Sequence, residues 1–167
     1  MDDAQDLGEL GGDPACWLGL VTDHRDLPDL DTPTQVHHLV VAFYREIVFD
    51  ELLEPVFGEV AEVDWAEHIP KLVDYWCWIL FGTDGFSGTV VATHRHLHEV
   101  QAIRPEHCDR WWTLWRDTID ERWAGPRAEQ AKHHAEVLMA GMAKRIFGYD
   151  WAPPAASGRT GVPRNPA

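Results

Sequence analysis

A chain of 167 residues with 45% apolar side chains is long enough to bury a real core and too apolar to stay wholly unfolded. Its formal charge of −14 excludes nucleic acid as a partner, because phosphates need a basic face. No run approaches the roughly 18 apolar residues of a membrane helix, and the start Met1-Asp2-Asp3 lacks the basic stretch of a secretory signal. The three cysteines, Cys16, Cys77 and Cys108, are odd in number and fit a reducing cytoplasm better than a disulfide framework.

Residues 1–31 are rich in Asp, Gly and Pro and read as a flexible acidic arm with one apolar island, Cys16 to Val21. The first helix is predicted from Thr32-Pro33-Thr34-Gln35, where Thr32 caps, Pro33 suits the first turn and Gln35 completes a capping box. Val36, Leu39, Val40, Phe43, Ile47 and Val48 follow at helical spacing. Asp50 to Phe57 reads as a short turn-like helix interrupted by Pro55. The next helix spans about 64–81, capped by Asp64 with Glu67 and striped by Leu72, Tyr75, Trp76, Ile79 and Leu80. Pro70 either opens its regular part or distorts its first turn. Gly82, Gly85 and Gly88 mark a loop, and Val90 to Gln101 forms a weaker helix.

Pro105 opens a strong helix with the stripe Cys108, Trp111, Trp112, Trp115, Ile119 and Trp123, stopped by Gly125. Pro126 opens the last, with Ala131, Ala135, Leu138, Met139, Met142 and Ile146, stopped by Gly148. No alternating strand pattern or repeat emerges. The expected class is all-α, with a globular domain over 32–148 and a disordered Pro/Gly-rich tail over 149–167.

Ten histidines stand out, and Thr93-His94-Arg95-His96-Leu97-His98 is their densest cluster. On a strand, all three of its imidazoles would share a face and hold zinc. On a helix only His94 and His98 would, and surface histidines are the plain alternative. The helix holding His94 is short, follows a glycine loop and is flanked by helices lined with large rings. One neutral imidazole facing a flat cofactor in an aromatic slot is the chemistry of haem ligation. Tyr44 offers a phenol donor, His68 an imidazole and Trp111 an indole N–H. Each also has a plain reading, as a core tyrosine, a capping-turn histidine and a core tryptophan.

Phe43-Tyr44-Arg45, Glu54-Pro55-Val56-Phe57 and Trp65-Ala66-Glu67-His68 resemble the distal half of truncated haemoglobins. His68-Ile-Pro-Lys-Leu-Val-Asp-Tyr-Trp76 resembles the third group of that family in particular. Phe86-Ser-Gly88, six residues before His94, resembles the family's loop into the iron ligand, and Pro105 to Trp111 and Gly125 to Ala128 resemble its last two helix starts. The resemblance spans about 32–148 and rests on the order and spacing of these motifs.

The resemblance implies a globin-like, truncated two-over-two helical sandwich holding haem b. His94 would be the proximal iron ligand, with Tyr44, His68 and Trp111 around a bound diatomic gas and Phe43, Phe57, Leu72 and Trp76 lining the haem pocket. Cys108 stands where the family usually has Phe, and His98 and Trp112 are rivals for the roles of His94 and Trp111. The function implied is reversible binding of oxygen or another diatomic gas, in transport, storage or sensing. Nitric oxide dioxygenation or peroxidase-like chemistry would need a separate reductase, since no flavin or nucleotide motif appears. The reading from a different class is a haem-free zinc or interaction domain using His94 to His98.

Overall fold

The computed structural model describes residues 27–60, 63–88 and 90–155. The apolar island at 16–21 lies outside the described residues. Among those residues there are five α-helices and no strand: α1 (Pro33–Ile47), α2 (Trp65–Phe81), α3 (Val90–Val100), α4 (Pro105–Asp120) and α5 (Pro126–Met142). Two π-helical turns, Pro55–Val60 and Ala143–Phe147, replace the short helix expected before α2 and the last turn expected of α5.

Local chemistry sets most of the boundaries. The Thr32 hydroxyl accepts from the Gln35 N–H, while Gln35 Oε1 accepts from the Thr32 N–H, so two free amides at the start of α1 are satisfied reciprocally. The Asp64 carboxylate accepts from the Ala66 and Glu67 N–H groups and opens α2. Pro70 lies inside α2, which therefore starts at Trp65 and not at the proline. Gly82 ends α2 in the left-handed conformation, at φ 68°, where a side chain would be strained.

α1 packs on α2 and on α4, and α5 packs on α4 and on α2, which makes two layers of two helices. The main core between the layers holds Phe43, Leu39, Trp76, Trp115 and Ile119. A smaller apolar cluster gathers Val56, Ile103, Cys108, Met139, Met142 and Phe147. α3 stands apart: none of its residues is buried, and it rests chiefly on the Ala143–Phe147 turn.

The edges of the packed domain extend beyond the expected 32–148. Leu30 is fully buried, and the Asp29 carboxylate accepts from the N–H groups of Leu30, Arg127 and Ala128 at 2.8, 2.9 and 2.8 Å. Gly125, before α5, has no side chain to cap with, so Asp29 caps α5 through space. A Cβ on Gly125 (φ 140°) would lie 2.5 Å from that carboxylate. At the other end, Tyr149 and Trp151 pack on the smaller cluster, and the Trp151 indole donates to Asp109 at 2.8 Å. Single residues inside polar stretches thus dock onto the helices at both edges of the expected range.

Candidate functional site

The second half of α1 delivers Phe43 and Tyr44 to neighbouring positions. Phe43 is fully enclosed, with its ring edge-on to Tyr44, Trp111 and Trp115 at 4.9, 5.2 and 5.0 Å. Tyr44 is turned toward Phe57, Trp65 and His68, whose ring centroids lie 6.0, 5.3 and 6.0 Å away. Trp65 and His68 are three apart on the first turn of α2 and so share a face. Phe57 comes from the π-helical turn that precedes it. Tyr44 is buried, and that burial pushes its hydroxyl's pKa well above the ordinary value, so the group remains a phenol and a donor.

His94 lies on α3, one turn after Val90, with Nδ1 2.7 Å from the Val90 carbonyl oxygen. A carbonyl only accepts, so Nδ1 carries the proton and Nε2 keeps its lone pair. Desolvation depresses the His94 pKa, against the opposing effect of that backbone bond, and keeps the ring neutral. His68 is depressed first by desolvation and then by the charges of His94 and Lys71, with Glu67 opposing.

The two apolar clusters meet along Phe57, Val90, Trp111 and Leu138, which pack against both. Phe57, Val90, Trp111 and Leu72 keep part of their surface accessible in spite of their size. A seam of large, half-covered apolar groups beside a neutral imidazole with a free Nε2 suits a flat, apolar, metal-bearing ring. Phe43 and Trp76 are enclosed in the main core, where Trp76 stacks on Trp115 at 4.5 Å.

The rivals noted in the sequence separate geometrically. The His98 Nδ1 accepts from the Ile103 N–H at 3.0 Å, and its ring lies 5.0 Å from Phe147. It is held against the end of the domain. His96 is exposed beside Glu99. Among the described residues no three His, Cys, Asp or Glu side chains converge to hold a metal ion. Trp111 packs on Phe43 and Trp115, whereas Trp112 lines a charged surface groove with Arg116, Lys132 and His133. Cys108 is buried against Tyr149, with Sγ 3.3 Å from the hydroxyl. Trp65 was not singled out from the sequence as a site residue, although its spacing of three from His68 placed it on the same helical face.

No protein-family model and no curated protein matches the chain. Among solved structures it is similar to the crystal structure of a group III truncated hemoglobin from Campylobacter jejuni. The TM-score is 0.63 at 18% identity, over 72% of this chain and 97% of that one. This chain has the truncated-globin fold. The match takes in nearly the whole of that truncated-globin chain and leaves somewhat over a quarter of the present one unmatched. Within the described residues of this truncated-globin fold, no helix is long and apolar enough to cross a membrane.

Proposed function

We propose that this chain is a haem protein that reversibly binds a diatomic gas, with His94 as the protein ligand to iron. The observation that carries this reading is the His94 imidazole, whose Nδ1 is tied to the Val90 carbonyl at 2.7 Å. That bond fixes the ring and its tautomer, and it makes Nε2 a better electron donor toward a metal. When bound, the haem supplies iron with an open coordination position for the gas.

The chain's own residues then do the rest. Tyr44, held as a phenol by burial, presents an O–H toward the space that Phe57, Trp65 and His68 surround. His68, kept neutral chiefly by desolvation, offers one N–H without bringing a full positive charge into an apolar site. Trp111 contributes a half-buried indole whose N–H is a donor only. Three donors around one small ligand favour its retention over rapid delivery, because each hydrogen bond must break before escape. The haem is of the b type in this reading, since none of Cys16, Cys77 and Cys108 belongs to a Cys-x-x-Cys-His attachment stretch. Any redox turnover draws its electrons from a separate reductase, and the site of action is the cytoplasm.

The visible spectrum of the full-length chain, purified and then supplied with haemin, tests the reading. An intense Soret band that shifts on reduction and on exposure to carbon monoxide is expected. His94→Ala should lose the haem or need added imidazole to keep it, while His98→Ala should retain it. Absence of haem uptake, with stoichiometric zinc in its place, would refute the proposal. Loss of haem from His98→Ala alone would move the ligand by one turn.

A further inference from the structure

A run of oxidisable rings leads from the candidate pocket to the protein surface. Trp111 stacks on Trp115 with centroids 5.8 Å apart and planes within 14°. Trp115 stacks on Trp76 at 4.5 Å and 22°. Trp76 meets Tyr75 at 5.4 Å, and Tyr75 lies 6.2 Å from Trp78, which is 45% exposed. The Tyr75 hydroxyl is 2.6 Å from His134 Nε2 on α5. Packing alone accounts for stacked indoles in a core. A buried phenol needs a hydrogen-bond partner, and here that partner is an imidazole, a base able to take its proton, with a half-exposed indole beside the phenol.

We propose that Trp111, Trp115, Trp76 and Tyr75 form a hole-transfer chain, with His134 as the proton acceptor at its terminus. Its function is to carry electrons singly from a reductant at the Tyr75–Trp78 surface to an oxidant in the pocket. The proposal rests on the haem reading only for the nature of that oxidant, a hydroperoxide, which takes up two electrons and two protons to give an alcohol and water. In each passage Trp111 gives up one electron and becomes a radical cation. The vacancy moves to Trp115 and then to Trp76, and an electron from Tyr75 fills it. The Tyr75 O–H bond breaks in that last step, its proton passing to His134 Nε2. The products are a neutral tyrosyl radical and an imidazolium. A one-electron donor from solution, such as a small phenol or an enediol, returns the electron, and His134 returns the proton. Each donor also sheds a proton to solvent, so two passages deliver the two electrons and two protons that one hydroperoxide takes up.

Burial pushes the Tyr75 pKa up to about 12, so the side chain remains a phenol and its oxidation must release a proton. Desolvation, followed by the charge of His133, lowers the His134 pKa. The imidazole is therefore neutral near pH 7 and, in the tautomer with its proton on Nδ1, accepts the phenol's hydrogen bond at Nε2. A tyrosine without such a partner is much harder to oxidise, because its cation radical is a very strong acid that needs an immediate base.

Pulse radiolysis of the full-length chain with azidyl radicals, which oxidise tryptophan, tests the chain whether or not haem is bound. The tryptophanyl absorption should decay as tyrosyl absorption grows, at a rate independent of protein concentration and slower in heavy water. Tyr75→Phe should remove most of the tyrosyl signal, while Tyr44→Phe and Tyr149→Phe leave it. His134→Gln, whose amide accepts a hydrogen bond but not a proton, should slow the transfer. Trp115→Phe should lower the tyrosyl yield by stranding holes that start on Trp111. Trp76→Phe makes the same break one link further on if the first variant does not fold. An unchanged signal in Tyr75→Phe overturns the terminus, and an unchanged yield in both tryptophan variants overturns the route. A positive radiolysis result without haem uptake would leave the chain standing and refute only the haem reading.

Discussion

Asp29 lies in a stretch whose composition marks it as a flexible arm, yet the structure makes it the cap of α5. Replacing it with Ala removes an acceptor from the Arg127 and Ala128 N–H groups, the first two amides after Pro126, which has none, and from the Leu30 N–H. Loss of an N-cap side chain costs about 0.5–2 kcal/mol. Three bonds to one carboxylate, one of them from the backbone of fully buried Leu30, place this case at the upper end, about 2 kcal/mol. For a domain of this size that corresponds to roughly 6–8 °C in Tm.

The pH dependence of the difference supplies a second check. Burial raises the Asp29 pKa, but the backbone bonds from Arg127, Ala128 and Leu30 and the Arg127 charge outweigh it, so the net shift is downward from 3.8. A depressed carboxyl stabilises the fold fully above its unfolded pKa, and the benefit fades as pH falls through the lower, folded value. Urea denaturation of both proteins should therefore show a gap of about 2 kcal/mol at neutral pH that narrows below pH 3.8. A gap under about 0.5 kcal/mol at pH 7, or one that persists unchanged in strong acid, would refute the through-space cap.

Tyr44→Phe should speed oxygen dissociation about ten-fold, from loss of one hydrogen bond of about 1–3 kcal/mol, with a smaller effect on carbon monoxide; stopped-flow ligand replacement measures both. Burial drives the Cys108 pKa from 9.0 to about 11. In a Cys16→Ser, Cys77→Ser background its thiol should therefore react with a disulfide reagent at least about a hundred-fold more slowly in the native than in the unfolded protein. His68, His94, His107 and His134 are all depressed below 6.5, chiefly by desolvation. Their folded forms resist protonation, so stability should be full above pH 6.5 and decline as pH falls below it. Urea midpoints at successive pH values read this directly.

The sequence by itself determined what depends on neighbours along the chain. The Thr32–Gln35 box, the Asp64 cap and the glycine stops at 82 and 148 were legible because a helix end is satisfied by residues within one turn of it. The all-α class and the main core stripe followed from periodicity for the same reason. Tertiary structure decided whatever depended on partners far apart. Asp29 finds its amides 98 and 99 residues away, and Trp151 finds Asp109 across 42, so local composition left both outside the domain. Trp111 and Trp112 are equivalent in sequence, and only the position of α1 and α5 against α4 turns the first onto Phe43 and the second toward Lys132. His94 and His98 likewise share a helical face. What separates them is that the Ile103 N–H folds back onto His98 and occupies the Nδ1 lone pair, while Nδ1 of His94 faces the Val90 carbonyl, which puts the ring proton there and the lone pair on Nε2.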